Sequence, residues 1–361
     1  MRVTIVLPGM PTRPTGGSKI AFEYANRLIA KHPDMRITLC FLSGSAGKRM
    51  GRAPLLLALK RQINRARLRC HPRWFSLDAR IEKRCISSID NASIPNADWV
   101  FATAALTADG VHGLSPSKGR KGYLIQDFET WDMPEEDLLA TYRLGMEHVV
   151  VSHWLKEVVD EASGGDCTCI PNPVDTAVFH PVPSIVRNPQ SIAVRYHPGE
   201  PKGFEYAWEA IRKARECVPD LRVNMFGSYP APDRMPGWVS YTKSASSAKL
   251  LEIYNGSALF VCASVKEGYG LTCVEAMACG CALATTDFAG LREYAIDGEN
   301  ALVSPAKSAA SLALNIVRLL QDGGLRDRIG AAGVRTAQAL RWDEAVADFE
   351  NVLFDGGVCA R

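Results

Sequence analysis

Several features that would assign this 361-residue chain quickly are missing from it. No apolar stretch reaches the ~18 residues that a membrane span needs. The N-terminal run Met1-Arg2-Val3-Thr4-Ile5-Val6-Leu7-Pro8 is too short for a signal peptide and reads as a first strand. No repeat and no low-complexity tract is visible, which argues against a solenoid or a disordered tail. The eleven cysteines are an odd number, and Cys167-x-Cys169 and Cys279-x-Cys281 lack the second pair and the spacing of a zinc site. No metal site is expected. Other cysteines fall in apolar runs as small core residues, so reduced thiols and a cytoplasmic setting are expected. A net charge of +3 is too small to argue for nucleic acid.

The composition that remains, 47% hydrophobic and 22% charged, is that of a soluble globular protein, and the length suggests two domains. Each half restarts the same way. The first opens with a strand at 3–7, a loop, a helix at 18–31 and a strand at 36–42. Further strands are predicted at Trp99–Ala102, Gly122–Ile125 and Val149–Val151, followed by a helix capped by Ser152. The second opens with a strand at Ser191–Tyr196, a helix at 204–217 and a strand at Leu221–Phe226. Repeated βαβ units predict an α/β fold with two Rossmann-like, doubly wound sheets. Between the halves lies a proline-rich stretch beginning Ile170-Pro171-Asn172-Pro173 and continuing through Pro181, Pro183 and Pro189. A linker is expected at about 176–188. Helices are also predicted at 248–254, 308–320, 324–339 and 342–353.

The most informative segment is Lys266-Glu267-Gly268-Tyr269-Gly270-Leu271-Thr272-Cys273-Val274-Glu275-Ala276-Met277-Ala278-Cys279-Gly280. The apolar run from Ala258 to Ala263 precedes it and reads as a buried strand. Two glycines follow Glu267, then a short apolar helix with Glu275 in its first turn, ended by Gly280, and a strand from Cys281 to Thr286. A strand, a glycine-rich turn and a helix N-terminus present free backbone N–H groups to an anion. A carboxylate on each side does not suit a bare phosphate. It suits a ligand with hydroxyls at both ends of a diphosphate, as in a nucleotide-sugar. Thr272-x-x-Glu275 is also a capping box, so Glu275 has a purely structural alternative.

These residues resemble the donor site of retaining glycosyltransferases, most closely glycosyltransferase family 4, with the pattern Glu-Gly-Phe/Tyr-Gly-Leu and then Glu-Ala-Met-Ala-x-Gly. The resemblance implies the B-type architecture: two Rossmann-like doubly wound domains facing a central cleft, with residues 1–180 binding the acceptor, 181–340 binding the donor, and a helix within 341–361 crossing back to the first domain. It implies that Glu267 and the amides after it, through Gly268, Tyr269 and Gly270, hold the donor sugar. Leu271 and Thr272 amides would face the diphosphate, and Glu275 would take the ribose diol. The family has an Arg and a Lys in the loop after the strand at 191–196. Lys202-Gly203 matches the Lys. Arg195 is the candidate for the Arg at a longer spacing, with Tyr196-His197 standing in for part of that function. The structural alternative for Arg195 is a salt-bridged strand residue.

Gly16-Gly17 lie where the family has two glycines facing the donor phosphates. The pair carries neither a dinucleotide G-x-G-x-x-G nor a Walker pattern. Asp127 and Glu129 follow a strand, and either position an acceptor hydroxyl or form a solvated loop pair. Many family members carry a His on the first-domain strand. The stretch Phe101–Ala105 has none here, and His112 is out of register. Residues 47–84 carry twelve Lys or Arg against two acids, with Leu55, Leu56, Leu57, Leu59 and Ile63 interleaved. This segment reads either as a binder of an anionic membrane surface or as a solvated helix face. RNA is disfavoured, because aromatic interleaving stops at Trp74 and Phe75.

The expectation is therefore a retaining, metal-independent glycosyltransferase with no cofactor. It would move a sugar from a nucleotide-diphosphate sugar to a glycan or lipid-linked acceptor in bacterial surface polysaccharide assembly. It would be cytoplasmic, at the inner face of the membrane if the basic segment binds lipid. Alternatives are a glycosyltransferase of a small natural product and a nucleotide-sugar epimerase on the same fold.

Overall fold

A computed structural model describes residues 1–43 and 72–355. Contacts divide the chain into two compact units: Met1–Ile170 with Val346–Arg361, and Pro171–Ala345.

The first unit is built on a seven-stranded parallel sheet of β1 (Arg2–Leu7), β2 (Arg36–Leu42), β3 (Glu82–Ile86), β4 (Trp99–Ala102), β5 (Arg120–Ile125), β6 (Glu147–Val150) and β7 (Thr168–Cys169). Their order is β3-β2-β1-β4-β5-β6-β7. The order reverses between β1 and β4, which opens a crevice at their carboxyl ends. Strands β1, β2 and β4 are apolar almost throughout because both faces are covered, as a parallel sheet requires. The helix Trp342–Asp355 supplies Phe349 to this unit's core. Its ring stacks on Tyr24 at 4.7 Å and approaches Phe101 at 5.3 Å. Trp99 Nε1 donates to the Leu353 carbonyl at 2.9 Å, and Glu350 pairs with Lys31 at 2.6 Å. Burying a phenylalanine of this kind contributes about 1.5–3 kcal/mol.

The second unit carries a six-stranded parallel sheet of β8 (Asn188–Tyr196), β9 (Arg222–Gly227), β10 (Val239–Lys243), β11 (Ser257–Cys262), β12 (Ala282–Thr286) and β13 (Ala301–Ser304), in the order β10-β9-β8-β11-β12-β13. Its reversal lies between β8 and β11. The helices Phe204–Cys217 and Ala309–Gln321 pack Ala210, Ile211, Leu312 and Ile316 into one core with Ile192, Leu259 and Ala284.

Three expectations need correction. The stretch 176–188, expected as a linker, lies within the second unit and is hydrogen-bonded to it. Val182 N–H donates to Asn255 Oδ1 at 2.7 Å, Asn255 Nδ2 donates to the His180 carbonyl, and Arg187 spans the carbonyls of Ser257 and Cys279 at 2.6 Å each. Ser152 occupies the cap position of the helix His153–Ser163, but its hydroxyl makes no cap bond and is buried without a partner. Residues 82–84 of the basic segment are strand. Its two acids hold two of its cations, Asp78 with Arg80 and Glu82 with Arg84, while Trp74 and Phe75, half-buried, pack on the buried Phe22. The leucines at 55–59 and Ile63, which carried the membrane reading, lie outside the described residues. Among the described residues, no helix is long and apolar enough to cross a membrane.

Candidate functional site

The chemistry collects where β8 and β11 separate. Arg195 sits at the carboxyl end of β8, paired with Phe226 of β9. The chain leaves through His197 into a single 3-10 turn, Glu200–Lys202, which Gly203 closes with φ at 58°. A Cβ on Gly203 would lie 2.0 Å from the Ala263 carbonyl oxygen. Only glycine lets the turn press against the end of β11. The Pro201 carbonyl then accepts from Val265 N–H at 2.8 Å and from Lys266 N–H at 3.1 Å. Two loops from adjacent strands are thus pinned backbone to backbone, one carrying Lys202 and the other Glu267.

Glu267 is 8% exposed. Its Oε1 lies 3.1 Å from Lys202 Nζ and 3.9 Å from the Arg195 guanidinium. Burial pushes its carboxyl upward. The fields of Lys202 and Arg195, with hydrogen bonds from Lys202 and Ser264, outweigh burial and hold it below the ordinary glutamate range. Glu267 is therefore a buried carboxylate. Arg195 is salt-bridged, as its structural alternative required, yet its partner is the motif glutamate itself.

His197 answers to the same charges with the opposite sign. Burial, then Arg195 and Lys202, push its imidazolium pKa down to about 4 against the pull of Glu267. Its Nδ1 accepts from Gly199 N–H at 3.0 Å. The ring is neutral, with its proton on Nε2, where it serves as a donor. A pocket takes in Arg195, His197, Lys202, Phe204, Cys262, Ser264, Glu267 and Thr272. Phe204, Cys262 and Ser264 had no sequence signal, since each belongs to a run read only as core or turn.

Beyond Glu267 the chain turns sharply into the helix Leu271–Ala278. Gly270 has φ at 90°, and a Cβ on it would lie 2.7 Å from Tyr294 Oη and 2.8 Å from Phe288. Because Gly270 is the cap residue and offers no side chain, the first amides, Leu271 and Thr272, have no intrahelical acceptor. They form a helix N-terminus at the pocket that Thr272 lines, where the dipole favours an anion.

The capping-box alternative for Glu275 fails. The helix starts at Leu271, so Glu275 lies in its second turn rather than its first and cannot pair with Thr272 as a cap. Glu275 is 6% exposed and accepts from Tyr254 Oη at 3.3 Å. Tyr254 is buried against Phe179, Phe226 and Phe260. A tyrosine in a short apolar helix gave no hint of that contact.

The remaining candidates gather in the first unit. Gly16 and Gly17 open the helix Gly16–Lys31, which starts two residues earlier than predicted. Gln126 Nε2 donates to the Gly17 carbonyl at 3.2 Å. Asp127 Oδ1 accepts from Phe128 N–H at 3.0 Å, and Glu129 Oε2 accepts from Ala105 N–H at 2.6 Å. Glu129 thereby caps the helix Ala105–His112, so it is no solvated loop acid. Burial pushes its carboxyl up to about 7, with Asp132 and Asp127 adding to the rise and the Ala105 amide opposing it. His112 is exposed at the end of that helix, and Thr103 stands at the end of β4.

Residues 192–322 match the family model of Glycosyl transferases group 1. The chain is 28% identical over 109 residues to the D-inositol 3-phosphate glycosyltransferase of Streptomyces bingchenggensis, covering 30% of this chain and 24% of that protein. It is 26% identical over 220 residues to the phosphatidyl-myo-inositol mannosyltransferase of Mycobacterium leprae, covering 56% and 58%. The chain thus spans less than two thirds of the length of these curated relatives. Anabaena HepE, solved with UDP and glucose, superposes with a TM-score of 0.73 at 13% identity, covering 98% of this chain and all of that one. That likeness gives the fold, the two-domain B-type glycosyltransferase architecture. The family-4 resemblance of the sequence agrees with all three.

Proposed function

We propose that the chain is a glycosyltransferase that takes a sugar from a nucleotide-diphosphate sugar and retains the configuration of its anomeric carbon. The observation that carries this reading is the Arg195–Glu267–Lys202 cluster beside the free amides of Leu271 and Thr272, at the reversal of the second sheet. In this reading the two cations and the two amides take the diphosphate, and the His197 Nε2–H adds a neutral donor. Glu267 accepts from hydroxyls of the donor sugar, with Gly268, Tyr269 and Gly270 presenting backbone around it. Glu275 accepts from the ribose diol, a role that suits a carboxylate with two acceptor oxygens.

The chemistry follows from the charges. Breaking the sugar–phosphate bond leaves extra negative charge on the β-phosphate, and preorganised cations and amides stabilise that charge more in the transition state than before it. Glu267 is paired and held ionised by Lys202 and Arg195, so it is a poor proton acceptor. The acceptor hydroxyl attacks on the face the nucleotide leaves, and the departing β-phosphate oxygen takes its proton. The protein then supplies positioning and charge, with no cofactor and no metal in the scheme. The acceptor is a glycan or a lipid-linked glycan. The names of the matched relatives, a D-inositol 3-phosphate glycosyltransferase and a phosphatidyl-myo-inositol mannosyltransferase, support a transferase that builds on hydroxylated acceptors.

A thermal-shift panel of UDP, GDP, ADP and dTDP tests this reading, because a ligand that binds only the folded state raises its stability. One of the four is expected to raise Tm in the wild type and to raise it less at the same concentration in Glu275→Ala. No shift with any of them would refute it. Conversion of the donor to an epimeric sugar without any acceptor would favour the epimerase instead.

A further inference from the structure

The turn Gly268–Gly270 rests on a second turn, which follows the neighbouring strand β12. This is the 3-10 segment Ala289–Glu293, and it runs directly into Tyr294. Gly290 lies against the peptide between Gly268 and Tyr269. A Cβ on it would stand 2.3 Å from the Gly268 carbonyl oxygen, 2.5 Å from the carbonyl carbon and 2.7 Å from Tyr269 N. No side chain fits in that space, so the two turns can touch backbone to backbone only through a glycine. Tyr294 holds the next part of the turn. Its hydroxyl donates to the Gly270 carbonyl at 3.3 Å, and its ring packs on Tyr269 with centroids 5.3 Å apart. Tyr294 is buried, and its own main chain is fixed in turn. Asn300 Nδ2 donates to the Tyr294 carbonyl and to Thr336 Oγ1, each at 2.8 Å.

The Gly270 carbonyl and the Leu271 N–H belong to one peptide plane, and in a trans peptide they point in opposite directions. Holding the oxygen therefore sets the direction of the N–H. That oxygen takes the Tyr294 hydroxyl and also the Cys273 N–H, the latter at 2.9 Å. The N–H at the other end of the plane has no intrahelical acceptor and stands beside Thr272, which lines the pocket. Gly270 is left-handed and has no Cβ, so its own side chain does nothing to steady the plane. The steadying contact comes from Tyr294. An amide fixed before the anion arrives costs no reorganisation when it meets the charge, which is what makes such a donor effective.

We infer that Tyr294 is a positioning residue for the Leu271 amide, with Gly290 as the floor that fixes the turn before it. Tyr294 acts through the Gly270–Leu271 peptide rather than by touching the ligand. The inference rests on the donor reading of this turn for the identity of the anion, a diphosphate. A tyrosine that served packing alone would change stability and leave the anion's affinity in step with it.

Amide-resolved NMR and calorimetry on the full chain, with inorganic pyrophosphate as the probe, test the inference. In wild type the Leu271 and Thr272 amide resonances are expected to move as pyrophosphate is added. Tyr294→Phe keeps the ring and removes the hydroxyl. It should weaken pyrophosphate about three- to tenfold, the scale of one hydrogen bond, and shrink the Leu271 response more than the Thr272 response. Gly290→Ala should weaken binding at least as much. Ile316→Val, in the core of the same unit, is the comparator, expected to lower Tm and leave pyrophosphate affinity unchanged. The inference is overturned if Tyr294→Phe binds pyrophosphate as wild type does. It is also overturned if Ile316→Val loses as much affinity for the same fall in Tm. Both outcomes leave the donor reading standing. If neither pyrophosphate nor any of the four nucleotides binds wild type, the donor reading is refuted and this inference with it.

Discussion

Lys202 Nζ lies 3.1 Å from Glu267 Oε1, and each residue sits on a different loop of the second sheet's reversal. The carboxylate is buried, and this ammonium contributes most among the groups that, with Arg195 and Ser264, keep it ionised. Either charge alone would be costly at this depth. Together they leave a cation ready for a phosphate and an acceptor ready for a hydroxyl.

Lys202→Ala is expected to lower kcat by about 10²-fold or more, the scale of losing one preorganised charge at a leaving group. Lys202→Arg should recover part of it. Because the substitution also strands Glu267, the variant should melt below wild type, and the Glu267 carboxyl should titrate higher. Steady-state kinetics with a matched thermal melt checks this, and wild-type turnover in a folded Lys202→Ala would remove the leaving-group role.

Glu275→Ala should weaken nucleoside-diphosphate binding by about 10- to 100-fold, since a lost hydrogen bond to a charged group costs about 1.5–3 kcal/mol. Tyr254→Phe should have a smaller effect, because it removes a donor to Glu275 and leaves the carboxylate in place. Calorimetry decides between them. Equal affinity in Glu275→Ala and wild type contradicts the ribose assignment.

His197 should titrate near 4 by NMR. Its folded pKa lies below the unfolded value of about 6.5, so the unfolded chain binds more protons in that window. Its contribution to stability is present above about 6.5 and is lost as pH falls toward 4. His197→Phe should remove the fall in Tm between about pH 6.5 and 4 and, having lost the acceptor for the Gly199 amide, lower Tm at neutral pH. An imidazole titrating above 6 would contradict the neutral-donor role.

Glu129 shifts the other way, up to about 7. The folded chain binds the extra proton between about 4.5 and 7, so this group's contribution falls as pH rises through that range. Glu129→Gln keeps an acceptor for the Ala105 amide and cannot ionise. Its Tm relative to wild type should rise steadily from pH 4.5 to 8. A constant difference across that range would show that Glu129 titrates normally.

Gly203→Ala should destabilise by about 1–3 kcal/mol or more, since it combines a left-handed backbone with a contact against a carbonyl that cannot rotate away. Donor binding should weaken with it, because the same turn carries Lys202. A melt and a nucleotide titration measured together would expose any uncoupling.

The sequence disclosed the second unit far better than the first. The helix 204–217 and the strand–turn–helix around Glu267 carry dense periodicity and glycines at positions that need them, and the observed bounds of the helix, Phe204–Cys217, are the predicted ones. The start of the helix at Leu271 is hidden in the sequence, because a left-handed glycine begins it while Thr272 offers a more familiar cap. In the first unit, the helices Ala105–His112 and Glu135–Tyr142 are short and weakly periodic, so their pattern was too faint to read. The partner of Glu129 is illegible in the sequence, because an amide 24 residues away leaves no mark in local spacing.

The single Pro201 oxygen that accepts both Val265 and Lys266 amides has a consequence for how this protein can diverge. Main-chain contacts survive most changes of side chain. The side chains at 265 and 266 can therefore vary while the main chain keeps the spacing between Lys202 and Glu267. The two loops can thus drift in side chain without losing the backbone contact that sets how far apart the cation and the carboxylate stand.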